Sequence, residues 1–134
     1  MRTRDAIVAG AWAAVLSGAP STLHALATGR DPLEATKAAG SIVLRHETRT
    51  PALVAAAVPV HLALSLGWAL VLQRAGVRGA VRGAVAGLAI AALDLGAVGP
   101  RYPRLRGLAI APQLADHVAY GAVAGIVLAR RTRD

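Results

Sequence analysis

The chain of 134 residues is 55% hydrophobic and only 16% charged, with a mean hydropathy of +0.51 and neither Cys nor Phe. A typical soluble domain carries about 25% charged residues. The composition therefore excludes a disordered chain, a disulfide scaffold and a thiolate metal site, and it points to a membrane. The net charge of +8 invites a nucleic-acid reading. The basic residues, however, gather at the ends of apolar segments with no aromatic platform beside them. That placement suits lipid phosphates and argues against a nucleic-acid partner.

The pattern predicts an all-α, polytopic membrane protein, with residues 1–134 forming a single transmembrane four-helix bundle. Four transmembrane helices are expected over about 6–29, 51–72, 83–99 and 107–129, and a short outer interfacial helix over about 32–44. Each apolar segment approaches or exceeds the ~17 to 25 residues that cross ~30 Å of hydrocarbon. Segments in lipid must be helical to satisfy their own backbone groups.

The first segment follows Arg2 and Arg4 and ends near Ala25-Leu26-Ala27. Those features also fit a secretory signal, but the long apolar stretch favours a span. Pro20 removes the N–H that would bond to the carbonyl of Leu16 and marks a bend. The loop that follows opens with Asp31-Pro32-Leu33-Glu34, a cap, a proline and a carboxylate that together start a helix. Its Leu33, Ile42, Val43 and Leu44 suit a bilayer surface or the mouth of the bundle.

Thr50-Pro51 opens the second span, where Pro59 marks a second bend next to His61. The third span is the shortest and draws in Ala80 and Val81, with Arg82 reaching for the interface. Gly-Ala-Val-Ala-Gly occurs at Gly83–Gly87 and again at Gly121–Gly125; so rich a content of Ala favours chance similarity, with an old helix duplication as the alternative. Gly83 with Gly87, and Gly121 with Gly125, are helix-packing pairs that let backbones approach closely.

Orientation rests on Lys and Arg near the helix ends. One side receives Arg2, Arg4, Arg74, Arg78, Arg82, Arg130, Arg131 and Arg133 in short segments nearly free of acids. The other receives Arg30, Lys37, Arg45, Arg49, Arg101, Arg104 and Arg106. The first set places both termini in the cytoplasm. Trp12 and Trp68 then serve as belt residues at the cytoplasmic interface, and Tyr102 at the outer one.

Each span carries a small or polar stripe with one ionisable residue. The stripes are Gly10, Ser17, Ser21 and His24; Ala57, His61, Ser65 and Trp68; Gly83, Gly87, Ile90 and Asp94; and His117, Gly121 and Gly125. An aspartate facing lipid at the helix centre costs at least ~2.5 kcal/mol, so the stripes are expected to converge. His24, His61, Asp94, Asp116 and His117 become the ligand- or proton-binding candidates of a pocket that opens outward above a tightly packed base. Asp116 also suits the positive end of a helix starting at Pro112.

Three readings of these residues stay open. The pocket binds a small ligand, an ion or a lipid headgroup, or supports proton-linked transport. Alternatively, the polar residues only fix helix packing in a structural or accessory subunit. Third, His24, His61 and His117 bind haem or a divalent metal, although no short local motif groups them. The sequence shows no nucleophile–base motif, phosphate loop or Glu-x-x-His pair, so an enzyme is not expected. Membrane lipid is the expected partner. Four thin helices bury little surface, which favours a homodimer or a larger membrane complex.

The stretches Gly18-Ala19-Pro20-Ser21-Thr22-Leu23-His24-Ala25-Leu26, Asp31-Pro32-Leu33-Glu34-Ala35-Thr36 and Pro112-Gln113-Leu114-Ala115-Asp116-His117 resemble small four-span integral membrane proteins of actinobacteria that carry no assigned function. The resemblance covers most of the chain. It implies a bacterial plasma membrane and transfers no activity and no catalytic residue.

Overall fold

The computed structural model describes residues 3–131, all in helices, turns and connecting segments without a strand among them. Arg2 and Arg133 of the charge balance lie outside the described residues. The elements are α1 (Thr3–Leu16), α2 (Ala19–Ala27), α3 (Glu34–Gly40), α4 (Thr50–Arg74), α5 (Ala80–Ala91), α6 (Pro103–Arg106) and α7 (Ile110–Arg131). A π-helical stretch over Ala92–Val98 and a 3-10 turn over Gly99–Arg101 extend α5.

Thr3–Ala27, Thr50–Arg74 and Ala80–Arg101 are long and apolar enough to cross a membrane. α7 is 22 residues long but is not among them. Gln113, Asp116, His117 and Tyr120 fill its first half with polar groups and lower its hydropathy.

The two prolines behave differently. Gly18 and Pro20 part α1 from α2, and the chain turns at Ser17 and Gly18. Pro20 has no N–H to continue the ladder, and glycine beside it favours no helix. Pro59 sits inside an unbroken α4, because a long apolar helix tolerates one missing bond when its neighbours hold it.

The interfacial helix is shorter than its sequence suggests. It starts at Glu34 and ends at Gly40, not Leu44. The Asp31 carboxylate accepts the Leu33 N–H at 2.8 Å and pairs with Lys37, so the capped turn precedes the helix. Gly40 lies against the Leu53 carbonyl, where a Cβ would overlap it, and the chain turns away through Val43. α3 is thus packed on the start of α4 with Ala38, Gly40 and Ser41 buried.

α5 and α7 lie back to back. Added Cβ atoms on Gly83 and Gly121 would meet each other's carbonyls, and one on Gly87 would meet that of His117. Gly79 N–H donates across the gap to the Gly125 carbonyl at 2.8 Å. Both Gly-Ala-Val-Ala-Gly segments therefore form one seam. α1 packs on both α4 and α7, with Gly10 against Ser65 and Ala69. α4 and α5 barely touch. The helices therefore follow the spatial order α4, α1, α7, α5, and the two end members face each other across a gap.

The core occupies one half of this array. Ala9, Ala13, Leu72, Ile90, Tyr120, Ala124 and Leu128 form a buried cluster toward the end where α1 begins and α7 finishes. An ion pair between Asp5 and Arg131, at 3.5 Å, closes that end. At the opposite end Arg45 lies over the Tyr102 ring, 4.8 Å from its centroid, and reaches the Arg101 carbonyl at 3.3 Å. That contact ties the loop after α3 to the loop before α6.

Candidate functional site

Above the core cluster, the turn after α1, then α2, α3, α4, the end of α5, the π stretch, α6 and α7 surround a cavity of about 640 Å³. Its walls are mostly aliphatic, with Val58 and Leu64 from α4 and Leu95 and Val98 from the π stretch. The carboxylates and imidazoles enter from three elements. His61 comes from α4, Asp94 from the π stretch, and Asp116 and His117 from α7. Pro32, Thr36 and Ile42 line the far end, so the segment around α3 covers the cavity there. The sparsely bridged side lies between α4 and α5.

His24 is not part of this group. It is exposed and lines, with Arg30 and Asp31, a small cleft that adjoins the cavity at Ser21, Pro32 and Gln113. The spacing that put it on a stripe with Gly10 and Ser17 assumes one continuous helix, and the break at Ser17 and Gly18 changes the phase. Trp68 takes the place its stripe predicts. It is half-buried, packs against the core cluster and lines the cavity, whereas Trp12 is 55% exposed. The α4 stripe explains this, since Ala57 and Ser65 on the same face are buried.

The hydrogen bonds fix several protons. His61 Nε2 lies 2.8 Å from the carbonyl of Ala14, in the last turn of α1 before the break. A carbonyl only accepts, so Nε2 is the protonated nitrogen. His117 Nδ1 lies 2.8 Å from the Gln113 carbonyl and must likewise donate. Its Nε2 then faces Asp94 Oδ2 at 3.3 Å. Two bare acceptors would repel, so one further proton lies between His117 and Asp94. The pair bridges α7 to the π stretch, whose wide turn gives Asp94 a carbonyl bonded to the Gly99 N–H. Such turns recur at functional positions.

Asp116 meets a helix N-terminus, but not that of its own helix. α7 starts at Ile110, which places Asp116 in its second turn. Its Oδ1 accepts the N–H of Ser21, at the start of α2, at 2.8 Å. The break after α1 leaves that N–H without a helical partner, and a carboxylate satisfies it.

Tyr120 is a participant the sequence reading missed. Its hydroxyl donates to the main-chain carbonyl of Ser65, joining α7 to α4 at the floor of the cavity. The available signal was its place three residues after His117 on the same helix face. Gln113, which orients His117 and lines the cavity, was missed as well. Among the described residues, no group of three or more His, Asp or Glu side chains is arranged to hold a metal ion. The set His24, His61 and His117 is divided because His24 lies on another surface.

An all-helical chain with three helices able to cross a bilayer is compatible with a multi-pass membrane protein. Comparison with protein-family models, with curated proteins and with solved structures found no match.

Proposed function

We propose that the chain is a non-enzymatic, four-span protein of a bacterial plasma membrane whose cavity binds a small ligand. α7 is the fourth span in this reading. Asp116, His117 and Tyr120 all bond to neighbouring elements, so the groups that lower its hydropathy need not face lipid. Both termini lie in the cytoplasm, with Arg4, Arg74, Arg78, Arg82, Arg130 and Arg131 on that side. The α3 loop then covers the cavity from outside. The four-span organisation agrees with the resemblance to actinobacterial membrane proteins.

One observation carries the ligand reading. Two carboxylates and two imidazoles from α4, the π stretch and α7 line one cavity of about 640 Å³. Its size falls within the ~300–1,000 Å³ of pockets that hold small molecules. Side chains that served packing alone would be expected to close such a volume, since interiors are close-packed.

A structural reading also has an observation behind it. The Asp94–His117 and Asp116–Ser21 contacts are bonds between elements and would hold register without any ligand. Gly18→Leu separates the two. Gly18 lines the cavity, and a Cβ there meets nothing within 4 Å. The experiment extracts small molecules from purified protein and measures them by mass spectrometry. A molecule retained by the parent and lost in Gly18→Leu at unchanged melting temperature supports a ligand site. Equal and empty extracts from both proteins support the scaffold.

A further inference from the structure

The chain contains 15 Lys and Arg residues, yet none of the described residues lining the cavity is one of them. The lining instead holds two carboxylates, Asp94 and Asp116, and two imidazoles, His61 and His117. His61 donates Nε2–H to the Ala14 carbonyl, which turns that proton onto α1. His117 and Asp94 share one proton beyond the one committed to Gln113. Asp116 accepts the Ser21 N–H as a carboxylate does at a helix N-terminus, and no Lys or Arg on the lining offsets it.

A negative charge on the wall of an otherwise aliphatic cavity is expensive in a low-dielectric surrounding. Water can solvate the carboxylate but gains little along Val58, Leu64, Leu95 and Val98. An occupant that satisfies both surfaces is monovalent, positive and apolar around its charge. The side between α4 and α5, where the helices barely touch, suits entry of such a molecule from the bilayer. Trp68 adds an aromatic face to the same lining, a surface that attracts organic cations.

We infer that the cavity between α4, α7 and the π stretch is a site for a lipophilic monovalent organic cation. Asp116 supplies the charge the cation meets, and no Lys or Arg on the lining competes with it. The inference rests on the ligand-binding reading above and deepens it.

Tetraphenylphosphonium and tetraphenylborate test it, because they share shape and apolar surface but differ in sign. Trp12→Phe leaves Trp68 as the sole tryptophan and a reporter inside the cavity. The protein is titrated with each ion in a neutral detergent at neutral pH. The expected result is saturable change in Trp68 emission with tetraphenylphosphonium and none with tetraphenylborate. Asp116→Asn keeps an oxygen for the Ser21 N–H but removes the charge, and should weaken the cation about tenfold or more. Its melting temperature, measured alongside, shows that the fold persists. If Asp116→Asn does not fold, the preference of the parent protein for one ion over the other decides alone. Equal binding of both ions would overturn the cation inference and leave a cavity that binds apolar molecules. No binding of either ion would also overturn it, and the extraction from Gly18→Leu then decides the ligand reading separately.

Discussion

The carboxylate of Asp116 on α7 accepts the main-chain N–H of Ser21 at 2.8 Å and closes the start of α2 from a helix 95 residues away. The break between α1 and α2 creates the orphan donor, and the fold brings an acceptor to it. A charged acceptor at a helix N-terminus also meets the positive end of the dipole. Asp116→Ala should therefore cost about 1 kcal/mol, the usual loss for a missing helix cap. Asp116→Asn should recover part of it through the amide oxygen. Reversible unfolding in mixed micelles gives both values.

The glycines divide into two sets with opposite expected signs. Gly87→Ala and Gly121→Ala push a methyl group into the facing backbone of the α5–α7 seam. Each should destabilise by about 1–3 kcal/mol, as overpacking does. A Cβ at Gly67, within α4, meets nothing within 4 Å. Gly67→Ala should stabilise by about 0.5–1 kcal/mol through the unfolded chain. Melting temperatures of the three variants in one detergent check both signs.

Tyr120→Phe removes a single oxygen and with it the bond to the Ser65 carbonyl. A loss of about 1 kcal/mol is expected, the net value of one such bond. The acceptor is main chain, so Ser65→Ala should leave the bond intact and change stability much less. Similar losses in the two variants would show that the serine hydroxyl matters instead.

Asp31 yields a pH prediction outside the spans. The Lys37 ammonium, and after it the Leu33 N–H, hold its carboxyl below the ordinary value of 3.8. The folded value lies under the unfolded one, so this contact contributes fully above 3.8 and is lost as pH falls through the folded value. Protection of the α3 amides from exchange, corrected for the intrinsic rate, should stay constant between about pH 7 and pH 5 and fall at lower pH relative to the rest of the chain. Asp31→Asn should remove that difference.

The glycine seam shows how far local spacing reaches. Gly83, Gly87, Gly121 and Gly125 could be placed on packing faces from four-residue spacing alone, because each pair lies in an uninterrupted helix. Asp94 and His117 shared those faces and meet at 3.3 Å. His24 shows where the method stops, since its stripe crosses the break at Ser17 and Gly18. Trp68 carried two compatible expectations, an interface and an interior stripe, and packing against the core cluster selected the second.

By itself the sequence determined the helical class, the apolar segments, the turn at Asp31 and the close glycine contacts. These follow from composition and from periodicity within one helix, which need no knowledge of neighbours. Only the tertiary structure decided that Asp116 caps α2, that Tyr120 reaches Ser65, and that the segment around α3 covers the cavity. Those relations join residues far apart in the chain, and their geometry depends on how whole helices cross and where backbones touch. Hydropathy along a chain does not record that.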